Sequence, residues 1–287
     1  PITCGALPPG GRVASGGDGA DEPASGPGVG VGSPPAPMSD ADGDEASGTE
    51  RGGLVGLIAC FDGHGGPEVA NFCARNIAPV LCLAPAFDAG RGDLGASLTE
   101  AFLNLDEAVI KHASESGSGC CATVALLRGS ELTVAGVGNT RAVLCRNGMA
   151  HGLTTAHLPS TPAESARITG AGGYIVLGRI NACLNISRAL GDASFKQTVG
   201  LPAVRQQVSP EPDIATETLG PGDFLLLACG GVWNAVADQD AVDFVRTALA
   251  EGKSPSTAAH DLVQFCLAPL VTTYDNVTAM VLVPRQE

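Results

Sequence analysis

The sequence predicts an α+β protein of layered architecture. Three observations predict it. Cys120–Leu127, Leu132–Gly138 and Arg141–Arg146 read as successive strands, with tight turns at Arg128-Gly129-Ser130 and Gly138-Asn139-Thr140. Pro67–Leu83 and Asp93–Ser116 read as two amphipathic helices in succession, and Asp238–Glu251 and Ser254–Leu267 as two more. Strands that follow strands and helices that follow helices argue against a doubly wound parallel sheet.

Each element has a local reason. Ile2–Ala6 is a short apolar run that could open the chain as a strand, followed by a turn at Pro8-Pro9-Gly10-Gly11-Arg12. Residues 13–53 are dominated by Gly, Ser, Pro, Ala and acids. Such a composition buries too little apolar surface to offset ordering, so it predicts a flexible acidic insertion. Leu54–Phe61 is an apolar run suited to a buried strand, broken at Asp62-Gly63-His64-Gly65-Gly66. Pro67 then suits a first helical position. Val69, Phe72, Cys73, Ile77, Val80 and Leu81 form one stripe of the first helix; Leu94, Leu98, Phe102, Leu105 and Val109 form that of the second. A short helix is expected around Ala163–Thr169, with Ser160 or Thr161 as its cap and Pro162 early. Tyr174–Ser187 returns to strand-like segments. Phe224–Cys229 is a wholly apolar strand that Gly230-Gly231 ends, and Asn276–Val283 is the closing strand. Asp238 and Pro255 mark the starts of the last two helices, Asp238 as a cap.

Bulk properties narrow the function. With 287 residues and 44% hydrophobic content, the chain can build one large core. We read it as a single domain over 1–287. A net charge of −14 argues against a nucleic-acid partner held by a basic face. No apolar run reaches the roughly 18 residues of a membrane span, so no membrane partner is expected. The ten cysteines include no C-x-x-C pair, and many lie in apolar runs. Reduced thiols in a cytoplasmic or nuclear protein account for them better than disulfides or zinc. The chain begins with Pro1, which leaves a removed targeting segment open.

The chemistry concentrates around Leu54–Gly66. Asp62 stands at the end of a core strand, where it can bind a hard cation, and the Gly63 carbonyl can supply a second oxygen. The same five residues could be a plain strand-to-helix turn. Further motifs follow in order. They are Gly138-Asn139-Thr140-Arg141-Ala142-Val143-Leu144, Leu153-Thr154-Thr155-Ala156-His157-Leu158-Pro159 with Glu164, Arg167 and Gly172-Gly173, Ser187-Arg188-Ala189-Leu190-Gly191-Asp192, Leu227-Ala228-Cys229-Gly230-Gly231-Val232-Trp233-Asn234, and Asp275-Asn276-Val277-Thr278. Taken together with Asp62-Gly63-His64-Gly65-Gly66, this series resembles the metal-dependent protein phosphatase 2C family. The family versions read D-G-H-G-G, G-D-S-R-A-V-L, L-T-x-D-H-K-P, S-R-A-L-G-D, L-A-C-D-G-L-W-D and D-N-x-T.

The resemblance implies a four-layer α/β/β/α sandwich, two antiparallel sheets flanked by helix pairs, with Thr155–Gly173 as a flap beside the site. It also implies hydrolysis of phosphoserine and phosphothreonine by two Mg²⁺ or Mn²⁺ ions that activate a water. In that scheme Asp62 bridges the ions, Asp275 and the Gly63 carbonyl assist, and His64 protonates the leaving alcohol. The family's early Arg, a phosphate ligand, falls at Arg12, which could equally be a solvated turn residue. The remaining family acids fall at positions that are neutral here. The early Glu falls at Gly16, the acid of G-D-S-R at Asn139, and that of L-A-C-D-G at Gly230; Ala156 and Asn234 replace two more. Arg188 and Asp192 would serve as an ion pair or turn brace, and His157, Glu164 and Arg167 would line the flap or lie on the surface.

The joint replacement leads to a pseudophosphatase reading. Asp62 and Asp275 would be a remnant site for no metal or one weakly held Mg²⁺ or Mn²⁺, and His64 a vestige or turn histidine. The domain would then act as a binding, regulatory or scaffold subunit for a kinase, a phosphoprotein or a larger assembly. A phosphoserine or phosphothreonine sensor that binds without cleaving is a variant of that reading. The alternative is an active Mg²⁺/Mn²⁺-dependent protein serine/threonine phosphatase with two ions. That would need Asp18, Asp21 or Glu22 to replace the early Glu, and another acid, such as Asp223 or Asp238, to serve for position 230.

Overall fold

The structure, a computed structural model, describes residues 55–88, 90–113, 117–268 and 275–284. The expected first strand at Ile2–Ala6 and the expected insertion at 13–53 lie outside the described residues. In chain order the elements are β1 (Val55–His64), α1 (Glu68–Leu83), α2 (Leu94–Ala113), β2 (Gly119–Arg128), β3 (Glu131–Val137), β4 (Arg141–Arg146) and β5 (Met149–Gly152). Next come α3 (Pro162–Gly170), the two-residue strands β6 (Ile175–Val176), β7 (Arg179–Ile180) and β8 (Leu190–Gly191), and β9 (Asp213–Thr218). The last are β10 (Phe224–Ala228), α4 (Gly230–Ala235), α5 (Asp238–Ala250), α6 (Pro255–Cys266) and β11 (Ala279–Leu282).

Among the described residues two large antiparallel sheets form, beside a small two-stranded one of β6 and β7. One runs β1-β2-β3-β9, with β8 also paired to β2; the other runs β11-β10-β4-β5. Side-chain alternation on these strands builds three apolar layers. On β2, Ala122, Val124 and Leu126 face α1 and α2, where they meet Val69, Cys73, Leu98, Phe102 and Leu105. Ala125 points the other way and joins Ile58, Val134, Leu144, Leu225 and Leu227 between the sheets. On β10, Leu225 and Leu227 face that middle layer, while Phe224, Leu226 and Ala228 face α5 and α6 through Val242, Val245 and Leu262. This explains why residues 224–228 are uniformly apolar: both faces of β10 are covered. The result is the expected α/β/β/α sandwich.

Several local expectations change. Asp62-Gly63-His64 is not a turn. β1 continues through all three, pairing Asp62 with Cys121, Gly63 with Cys120 and His64 with Gly119. The turn comes one step later, at Gly65 with φ of 71°. Gly230-Gly231 does not merely end a strand; it begins α4. Asp238 is not a cap, since Ala237 holds that position; Asp238 instead pairs with Arg141 at 2.6 Å. Thr161 does stand before α3, but its hydroxyl donates to the Leu158 carbonyl instead of capping. Ser254 caps α6 just ahead of Pro255, accepting from the Thr257 N–H at 3.0 Å.

Candidate active site

The site lies where β1, the β3–β4 turn, β10 and the approach to β11 end together. The Asp62 carboxylate accepts a hydrogen bond from the Gly230 N–H at 3.2 Å. A Cβ placed on Gly231 would lie 3.4 Å from the Cβ of Asp275 and overlap the Asn276 carbonyl. The Gly230-Gly231 backbone thus runs between Asp62 and Asp275, close to both. Burial pushes the Asp62 carboxyl up; the Gly230 N–H opposes this, and the Asp275 charge adds to it. Ionised together, the two acids form an anionic pair in a partly desolvated place, which suits a hard cation.

The neutral positions are equally well defined. A Cβ on Gly230 would meet Asn139 Nδ2 at 2.6 Å and Cγ at 3.1 Å. The Asn139 amide therefore fills the space in which a side chain at 230 would start. Around this point the frame is held by hydrogen bonds and an ion pair. Thr140 and Thr123 share a buried hydroxyl–hydroxyl bond of 2.9 Å. Arg141 makes a two-pronged contact with Asp238, at 2.9 and 2.6 Å, and lies 4.6 Å over the Trp233 ring. Trp233 Nε1 donates to the Ala228 carbonyl at the end of β10. Neither Asp223 nor Asp238 can stand in for an acid at 230. Asp238 is held by Arg141, and Asp223 is held by Arg146 at the opposite end of β10.

His64 is placed firmly. Its Nε2 lies 2.8 Å from a carboxylate oxygen of Asp192, which is 4% exposed. Asp192 was expected to brace a turn or pair with Arg188. Arg188 instead binds Glu164 at 2.9 Å and Asp213 at 3.1 Å. Glu164 also accepts from Ser187 at 2.5 Å and pairs with Arg167 at 2.7 Å. Arg167 donates to the Ser187 carbonyl as well. His157 bridges the Gly138 N–H and Asp213. With Ser187, Arg188 and the half-exposed Asp213, these flap residues form a largely buried polar network instead of a surface row. Ala156 precedes His157, and Asn234 is exposed on α4.

Asp62, Gly63, Asn139, Gly230 and Asp275 are thus brought together, with His64 one strand position beyond Gly63. Arg12 and Gly16 lie outside the described residues. Among the described residues, no group of three or more His, Cys, Asp and Glu side chains is arranged to hold a metal ion. The same residues include no helix long and apolar enough to cross a membrane.

The α/β/β/α sandwich defines the class, that of the protein phosphatase 2C-like folds. The profile of the family described as Protein phosphatase 2C matches residues 36–275, and the chain belongs to that family. Protein phosphatase 2C homolog 3 of Schizosaccharomyces pombe is 37% identical over 240 residues, covering 81% of this chain and 57% of that protein. Probable protein phosphatase 2C 11 of Oryza sativa is 35% identical over 262 residues, covering 74% of this chain and 72% of that protein. The chain spans only 57% and 58% of the lengths of two fission-yeast relatives. Among solved structures, a Toxoplasma gondii phosphatase superposes with a TM-score of 0.71 at 22% identity, over 79% of this chain and 84% of that one. At that identity the likeness shows the fold alone.

Proposed function

We propose that this domain is a divalent-cation-dependent protein serine/threonine phosphatase with a thinned metal set. The observation that carries this reading is the convergence of Asp62 and Asp275 on the Gly230-Gly231 backbone. Asp62, the Gly63 carbonyl and Asp275 fit one Mg²⁺ or Mn²⁺, since such ions commonly use one or two carboxylates plus waters and substrate phosphate. Through the described residues they do not fit two, because Asn139 and Gly230 offer no anionic oxygen. A cation held there would supply a water of lowered pKa. His64 would hold a proton for the departing serine or threonine oxygen. The family match bears on where further acids could lie. It begins at residue 36, after Arg12, Gly16, Asp18, Asp21 and Glu22. The acids it includes ahead of β1 are Asp40, Asp42, Asp44, Glu45 and Glu50.

A second reading has its own observation. The Asn139 amide set against Gly230 suits a pseudophosphatase that binds a phosphoprotein partner without cleaving it. One assay separates the two: Mn²⁺-dependent phosphate release from a phosphothreonine peptide by the unmodified chain, by Asp62→Asn, and by the Gly230→Asp/Asn139→Asp pair. Release above the Asp62→Asn background supports the phosphatase. Release by the pair alone supports the binding protein.

A further inference from the structure

We propose that Asp192 is a positioning residue for His64, and that Gly119 exists to let the two side chains meet. The inference rests on the phosphatase reading only for its kinetic consequence; the contact itself stands apart from it.

Three independent features build the contact. The first is the bond itself, 2.8 Å between His64 Nε2 and Asp192 Oδ2, with the carboxylate buried and the ring 30% exposed. An acidic acceptor requires the hydrogen on Nε2, which leaves Nδ1 as the other working atom of the ring. The second is backbone strain. Asp192 adopts φ of 52° and ψ of 46°, a left-handed conformation that non-glycine residues rarely take. Its N–H donates to the Ser118 carbonyl at 3.1 Å, and its carbonyl accepts from the Phe195 N–H at 2.9 Å. The third is Gly119, directly opposite His64 in the β1–β2 ladder. A Cβ there would overlap both the Asp192 carboxylate and His64 Nε2. A side chain at 119 would therefore separate the pair.

A support beneath the contact keeps it in place. Asp106 on α2 accepts from the Gly191 N–H at 2.8 Å, and Lys196 bridges Asp106 at 2.6 Å and the Ala189 carbonyl at 2.9 Å. The segment on both sides of Asp192 is thus tied to α2. A histidine that must deliver a proton in one direction gains from a ring fixed in orientation and tautomer.

The test uses the full chain with ¹⁵N-labelled histidine, and has two arms. In proton NMR, the unmodified chain is expected to show one low-field, slowly exchanging imidazole N–H, identified by its loss in His64→Gln. Asp192→Asn, which tolerates the left-handed backbone, and Gly119→Ala should each weaken or remove it. Absence of that signal in the unmodified chain overturns the proposal, and so does its survival in both variants. In kinetics, Asp192→Asn should slow phosphate release from a phosphothreonine peptide by about 100-fold, while leaving p-nitrophenyl phosphate, whose leaving group needs no proton, near its original rate. Equal loss on both substrates overturns the positioning role. If the chain turns over neither substrate, the phosphatase reading fails and the NMR arm still decides this one.

Discussion

Asn139 Nδ2 stands 2.6 Å from where the Cβ of residue 230 would be, so the two positions behave as one unit. Gly230→Asp would add a third acid beside Asp62 and Asp275 and push Asn139 aside. Without cation the variant should unfold at lower temperature than the parent, because three neighbouring carboxylates repel. With millimolar Mn²⁺ the order should reverse, since binding to the folded state alone stabilises it. Calorimetric titration should show Mn²⁺ affinity raised by at least about 10-fold. Equal melting shifts with Mn²⁺ in both proteins would refute the arrangement.

Arg141 links three elements: it opens β4, pairs with Asp238 of α5, and covers Trp233 of α4. Arg141→Lys keeps the charge but loses the planar fork. We expect a loss of about 2 kcal/mol in urea denaturation, and nearly the same loss for Arg141→Ala. Full retention of stability in the lysine variant would count against the two-pronged contact.

The Lys196–Asp106 pair is almost wholly buried, at 5% and 4% exposure. Removing one partner leaves an uncompensated charge, so Lys196→Met should cost about 3–5 kcal/mol. Lys196→Met/Asp106→Leu should recover part of this. The Gly191 N–H then lacks its acceptor, so about 1–3 kcal/mol should stay lost. A double variant less stable than the single one would contradict this.

Acid should unfold the flap network in two windows. Burial, then the nearby Arg188 charge, lower His157 below its ordinary 6.5, against the pull of Asp213. The unfolded chain therefore takes up that proton first, and stability falls as pH drops below 6.5. Burial pushes Glu164 up, but hydrogen bonds from Arg188 and Ser187, with the Arg167 charge, outweigh it and hold the carboxyl below 4.5. Its contribution is fully present above 4.5 and is lost as pH falls through the lower folded value. Urea midpoints across pH should show both declines, and His157→Gln should abolish the upper one alone.

Most of the scaffold was legible because it repeats. The strand Arg141–Arg146 and the helix ending at Leu83 fall where alternation and helical spacing put them. The short strands β5 and β9 were missed. Met149–Gly152 is mostly exposed, and Asp213–Thr218 carries acids and threonines on an edge, so neither presents an apolar run. The acids Asp62 and Asp275 were legible from their motifs. The Asp192 contact was not, because 128 residues separate it from His64 and only strand register brings them together.

The sequence by itself determined the layers and the family, since burial on one face or both imprints a periodicity that needs no partner to be read. It also determined the loss of acids at 139 and 230. Tertiary structure decided what those losses mean in space: that Asn139 lies against Gly230, that Asp223 and Asp238 are already held by arginines, and that a glycine on β2 opens the way from Asp192 to His64. Such contacts join points distant along the chain, and their distances follow from how two sheets stack, which no local pattern encodes.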